Sequence, residues 1–270
     1  MRNLRSLLLF GALGAVAGSL TSGSVALAGP PLPKLLIVTS GGTPPVAEMN
    51  ATGRFSLVDT FDSSGATPTL GLLTGYDVVM AYTNFTPFDP VGLGDVLANA
   101  VDANVRVVIY TYSFSSPWGI QGRIMTHGYS PLVDSGSNGS VSGNIVALAP
   151  ADPIFSGVTL PGMSFFTNNN YAQPNLDTNA ILLADDGAGV KMIARSPNGM
   201  VLSLNLYPDS GLGDAEFYNL VANSLASQKV VVNIPALSDA MVALLALAFV
   251  LLGASRMRSR ATSLRLATAQ

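Results

Sequence analysis

Apolar positions in this chain follow two different patterns. From Ser6 to Gly18 and from Ala236 to Ala254 they run on almost without polar interruption, while in between they come in short runs separated by Gly, Pro, Ser, Asn and Asp. Leu35-Leu36-Ile37-Val38, bounded by Pro33 and by Ser40-Gly41-Gly42, predicts a strand buried on both faces, the kind that belongs to parallel sheets. Phe55 to Phe61 alternates and predicts a second strand, Asp77 to Tyr82 a third and Val105 to Tyr110 a fourth. A helix separates the last two. Asp89 can cap it, Pro90 suits its first position, and Leu93, Val96, Leu97, Ala100 and Val101 form one apolar stripe. Asn104 can end it, because asparagine tolerates the left-handed conformation. Strand, helix and strand in this order make a βαβ unit.

The second half is richer in turns. Asp134 to Gly143 and Asn168-Asn169-Asn170 read as loops. Ile181 to Ala184 is strand-like and ends at Asp185-Asp186-Gly187, and Val190 to Ala194 and Met200 to Leu206 flank a Pro197-Asn198-Gly199 hairpin signal. Asp214 opens a helix that carries Phe217, Leu220, Val221 and Leu225 on one face.

The two uninterrupted runs belong outside this alternating domain. Arg2 and Arg5, the Ser6–Gly18 run and Val25-Ala26-Leu27-Ala28 form a secretory signal peptide with cleavage expected after Ala28. An N-terminal membrane anchor is the alternative, opposed by the polar stretch from Gly18 to Ser24. At the other end, a helix from Ala236 to Ala254 would cover roughly the 30 Å hydrocarbon core. Arg256, Arg258, Arg260 and Arg265 follow it with no acid, which places that tail in the cytoplasm. The expected layout is a signal peptide at 1–28, a Pro-rich lead at 29–33 and an α/β domain at 34–229. A linker and sorting motif at 230–235, a membrane helix at 236–254 and a basic tail at 255–270 complete it.

Ile234-Pro235-Ala236-Leu237-Ser238, then a short span and an arginine cluster, resembles the IPTL-type C-terminal sorting signal of bacteria. The resemblance covers about 233–260 and departs from the usual motif at Ala236 and Ala240. It implies an exosortase-like processing protease as partner, a Gram-negative envelope, and either a membrane anchor or surface display after sorting.

Charge changes once the ends are set aside. Gly29 to Pro235 holds seven basic and fifteen acidic residues, a formal charge of −8 against −3 for the whole chain. Nucleic-acid binding needs a basic footprint, so that partner class is excluded. The absence of cysteine removes disulfides, thiolate metal sites and a cysteine nucleophile, and a single histidine removes multi-histidine metal sites. No cofactor and no metal is expected.

The element order resembles the class I glutamine amidotransferase-like, flavodoxin-like fold and its ThuA-like relatives. The residues that carry it are Leu70–Leu73 before Gly75-Tyr76-Asp77-Val78-Val79, then Gly94-Asp95-Val96-Leu97 through Val101-Asp102. Gly122-Arg123, Gly128-Tyr129-Ser130-Pro131 and Asn205-Leu206-Tyr207-Pro208 continue it. The resemblance implies a mostly parallel sheet with helices on both faces. Without cysteine the amidotransferase reaction itself is absent, and no Gly-x-Ser-x-Gly replaces it.

The loop from Thr111 to Pro131 is the expected site, because it leaves the carboxyl end of the fourth strand. It contributes Tyr112, Trp118, Arg123, His127 and Tyr129, flanked by Tyr110 and Phe114, and aromatics beside an arginine suit a sugar or a carboxylated ligand. Simple packing of those rings onto the domain is the alternative. Ser40-Gly41-Gly42-Thr43 could cradle an anion, although Pro44-Pro45 removes two donors. Asp185-Asp186-Gly187 and Asp209 to Asp214 lack the ligand spacing of a calcium loop. The leading expectation is a non-catalytic, envelope-attached domain that binds a ligand, a surface polysaccharide or another envelope protein. A carbohydrate-active hydrolase or isomerase of ThuA-like type would instead need His127 and Arg123 to converge with an aspartate such as Asp77 or Asp209. A structural component of an extracellular matrix is the third alternative.

Overall fold

The computed structural model of the protein describes residues 31–227. The expected signal peptide at 1–28, the sorting motif Ile234 to Ser238, the span 236–254 and the cluster Arg256, Arg258 and Arg260 lie outside the described residues. Among the described residues no helix is long and apolar enough to cross a membrane.

The first half of the domain supplies β1 (Lys34–Ser40), α1 (Val46–Ala51), β2 (Leu57–Asp62), α2 (Leu70–Leu73), β3 (Val78–Thr83), α3 (Pro90–Asp102) and β4 (Arg106–Tyr110). The second supplies α4 (Arg123–Thr126), β5 (Leu132–Val133), β6 (Asn138–Gly139), β7 (Val146–Ala147), β8 (Tyr171–Ala172) and β9 (Asn175–Leu176). A 3₁₀ turn at Pro153–Phe155 lies between β7 and β8, and β10 (Ile181–Asp185), β11 (Lys191–Arg195), β12 (Val201–Leu204) and α5 (Ala215–Ala226) close the order. An eight-stranded sheet has the order β2-β1-β3-β4-β12-β11-β10-β7. Its first five strands are parallel and the last three run antiparallel to their neighbours. The parallel part has the flavodoxin-like order, with the chain reversing its direction of travel at β1 and β3. Two further ladders, β5 with β9 and β6 with β8, stand apart.

Each face of the sheet has its own core. Met49 of α1 and Phe217, Leu220 and Val221 of α5 pack on Leu35, Ile37, Met80 and Val108. On the other face Leu73 of α2, Leu93 and Leu97 of α3 and Ile124 of α4 pack on Leu36, Val38, Val79 and Ile109. Every residue of β3 and β4 is buried, so both read as unbroken apolar runs. β2 lies at the sheet edge, and its alternation reflects one wetted face.

Local chemistry agrees with the expected helix ends. Asp89 Oδ1 accepts from the Gly92 amide at 2.9 Å, Asp214 Oδ1 from the Phe217 amide at 2.9 Å, and Asn104 takes φ +69° just past α3. The Pro197-Asn198-Gly199 turn joins β11 to β12 as an antiparallel pair. Helices α1, α2 and α4 are not legible in the sequence, since four to six residues are too few to establish a 3.6-residue period. Gly94 serves a packing purpose inside α3. A Cβ there would run into the carbonyl of Gln121, so the lack of a side chain lets the segment after β4 lie flush on the helix.

Candidate functional site at the carboxyl edge of the sheet

The five expected site residues fall in two separate places. Tyr112 lies two residues past the end of β4, where its amide donates to the Thr83 carbonyl at 3.0 Å and keeps it level with the end of β3. Its ring meets Trp118 edge-on at 5.8 Å, Tyr171 edge-on at 5.8 Å, and Tyr207 at 5.4 Å. Tyr112 and Trp118 line an open cleft of about 240 Å³ together with Asn84, Phe85, Asn168 and Asn170. The Asn168 carboxamide donates to the Tyr112 hydroxyl, and no charged side chain lines the cleft.

Arg123, His127 and Tyr129 are elsewhere. Gly122, at φ +70°, turns the chain into α4, which carries these residues to the last turn of α3. There the Arg123 guanidinium donates to Asn99 Oδ1 at 2.5 Å, Asp102 Oδ2 at 2.9 Å and the Tyr129 hydroxyl at 2.8 Å. Tyr129 in turn donates to Asp102 Oδ1 at 2.7 Å. Those two bonds, first from Tyr129 and then from Arg123, hold the Asp102 carboxyl below its usual range. His127 is exposed, and its Nδ1 shares a hydrogen bond with Thr126 Oγ1 at 2.8 Å. Among the described residues no carboxylate pairs with the ring. A shallow pocket beside it is lined by Val101, Tyr129, Ser196, Pro197, Asn198 and Val201, at the amino end of β12. The arginine therefore clamps α4 to α3 and does not face the aromatic cleft. The convergence that a His127-based catalyst requires does not form.

The turn after β1 also departs from expectation. Gly41 and Gly42 take φ +80° and +82°, and the Thr43 amide beyond them does bind an anion, namely the carboxylate of Asp209 at 2.7 Å. Tyr82 donates to the same oxygen at 2.8 Å and Tyr207 to the other at 3.1 Å. A Cβ on Gly42 would lie 2.5 Å from Asp209 Oδ1 and 2.8 Å from the Tyr207 hydroxyl, so only glycine lets the turn close over this carboxylate. Burial, followed by the charge of Asp209, pushes the Tyr82 and Tyr207 phenols far above their usual range. Both remain protonated donors that brace Asp209. Asp77, the other candidate acid, accepts from the Lys34 amide at 2.8 Å.

The remaining acidic turns are structural. Burial alone would raise the Asp186 carboxyl, but backbone amides of Ala188, Ser142 and Val190 outweigh it and hold the group below its usual range. Among the described residues no three His, Asp or Glu side chains converge as a metal site.

Fold and site together define an α/β domain of flavodoxin-like order that presents a neutral aromatic and carboxamide cleft beside a braced carboxylate. Neither a family model nor a curated relative matches the chain. Solved structures similar to it include the following two. A GMP synthase subunit protein from Thermoplasma acidophilum is 12% identical, with a TM-score of 0.46 over 71% of this chain and 94% of that one. A ThuA-like protein from Bacteroides uniformis is 14% identical, with a TM-score of 0.47 over 74% and 93%. Sequence reasoning misses Asn84, Phe85, Asn168 and Asn170. The Asn168–Asn170 run reads only as a loop, and nothing local ties it to Tyr112, 56 residues earlier.

Proposed function

We propose that this protein is a non-catalytic, envelope-attached domain that binds a neutral carbohydrate in the Tyr112–Trp118 cleft. The observation that carries this reading is the lining: three aromatic rings, three carboxamides and no charge. A sugar ring lays its C–H face on an aromatic ring, while carboxamides pair with hydroxyls because they both donate and accept. A charged ligand would find no counter-charge. At about 240 Å³ the cleft is smaller than the roughly 300–1,000 Å³ of drug-sized sites, which suits one sugar unit on a longer polymer. Trp118→Ala is expected to weaken glycan binding about tenfold, the loss of one good stacking contact. Glycan-array screening followed by calorimetry measures this. A wild-type protein that binds no glycan, or a variant that binds equally well, refutes the reading.

The envelope address rests on the terminal sequence patterns, with the IPTL-like motif Ile234–Ser238 and the arginines behind it as an exosortase-like recognition signal. Mass spectrometry of the mature protein is expected to find a C-terminus that lacks Arg256, Arg258 and Arg260. Recovery of peptides through Arg260 would leave a plain membrane anchor in place of sorting.

A further inference from the structure

A row of polar side chains crosses the parallel half of the sheet where its strands end. Register pairs Ser40 with Thr83. Ser63 follows β2, whose Asp62 pairs with Thr39, and Thr111 follows β4, whose Ile109 pairs with Ala81. Asn205 follows β12, whose Leu204 pairs with Tyr110. Side chains alternate faces along a strand, so each of these five shares a face with the residue two before it. Val38, Ala81 and Ile109 are three of those residues, and they belong to the core under α3, on which Phe61 also packs. The row therefore replaces one layer of that apolar core with four hydroxyls and a carboxamide.

All five side chains are fully buried, at 1% exposure or less. Ser63 Oγ, Thr83 Oγ1, Thr111 Oγ1 and Asn205 Oδ1 nevertheless have no hydrogen-bond partner among the described residues. The same holds for the hydroxyls of Ser113 and Ser115, which flank Phe114 of the same core. Ser40 Oγ donates to the Thr86 carbonyl at 3.2 Å, and Asn205 Nδ2 to the Ala172 carbonyl at 2.9 Å. One stray hydroxyl in a core is tolerable, but six polar atoms along one edge would together be a large destabilisation.

Strand geometry indicates what satisfies them. Neighbouring strands lie about 4.8 Å apart, and here the unpartnered hydroxyls of the row do not lean together to bond one another directly. A single hydroxylic oxygen between two of them reaches both at an ordinary hydrogen-bond distance and can donate as well as accept. The row contains no charged side chain, so an ion is not what it selects. We propose that the row is an internal binding site for hydroxylic oxygen, with an O–H group seated between neighbouring strands. Either bridging water or the hydroxyls of a small polyol would supply that group. The site lies on the opposite side of the sheet edge from the Trp118 cleft and stands independently of the carbohydrate reading.

Isosteric removal of the hydroxyls tests this in the full-length chain. Thr83→Val and Thr111→Val should each lower the thermal midpoint by about 3 °C, whereas Thr83→Ser should stay near wild type. Oxygen-17 relaxation dispersion should show fewer long-lived internal waters in Thr111→Val than in wild type if water is the occupant. If a polyol is the occupant, glycerol should raise the wild-type midpoint more than that of Thr111→Val. Valine variants with unchanged or higher midpoints and no loss of long-lived water overturn the proposal. Should the valine variants not fold, the wild type decides: no long-lived internal water and no glycerol effect beyond that on an unrelated protein overturns it equally.

Discussion

Replacing Arg106 with methionine is expected to remove about 3–5 kcal/mol of folding stability, a large share of what a domain of this size possesses. The side chain is only 4% exposed and runs from the start of β4 to the last turn of α5. Its guanidinium donates to the carbonyls of Ser224 at 2.6 Å and Leu225 at 3.1 Å, to that of Ser227, and to Ser227 Oγ at 2.7 Å. Helix ends leave such carbonyls without intrahelical donors and carry partial negative charge, so one planar cation answers both needs. Burial lowers its pKa to about 10, which still leaves it charged at neutral pH. Methionine keeps most of the buried stem, so the loss reports the hydrogen bonds and the charge. Lysine should recover only part of the loss, because a point charge cannot span several carbonyls as the guanidinium fork does. Urea unfolding followed by circular dichroism measures both variants. A methionine variant within 1 kcal/mol of wild type would mean that the last turn of α5 has other donors.

Arg106 also illustrates what the sequence can and cannot reveal. β3 and β4 are legible because strands buried on both faces leave unbroken apolar runs, and α3 because Asp89, Pro90 and its stripe all agree. Arg106 is one of seven basic residues between Gly29 and Pro235, and its role depends on a helix end 118 to 121 residues away. Asp209 is the same kind of case. It reads as a turn residue, while its partner amide at Thr43 is 166 residues earlier. The aromatic loop fails as a single site for a local reason: the turn at Gly122 redirects the chain, and α4 delivers Arg123 to Asp102. Sequence places residues on the same loop, but it does not say which way a turn sends them. Tyr112 and Trp118 do meet, because both stay at the end of β4 where that strand leaves them.

Asp209→Ala is expected to cost about 3–5 kcal/mol and to weaken the cleft without touching its ligand. The carboxylate is 8% exposed and accepts from the Thr43 amide, Tyr82 and Tyr207, so its removal leaves two buried phenols without their acceptor as well as freeing the turn at Thr43. Neither phenol can relieve the loss by ionising, since burial, the largest cause of its raised pKa, persists when the Asp209 charge is gone. Tyr207 would be freed to move, and its ring lies 5.4 Å from that of Tyr112, which forms the cleft wall. Asp209→Asn keeps the shape and one acceptor oxygen, and the Tyr207 hydroxyl can rotate to accept from the new amide. That variant should therefore lose only about 1–2 kcal/mol and keep most glycan affinity. Measured together, stability and affinity separate two roles for this carboxylate. If Asp209→Asn folds with near-normal stability yet binds no glycan, Asp209 contacts the ligand itself. If affinity falls only in step with stability, Asp209 is a brace that holds the tyrosines where the cleft needs them, and the geometry favours this second outcome.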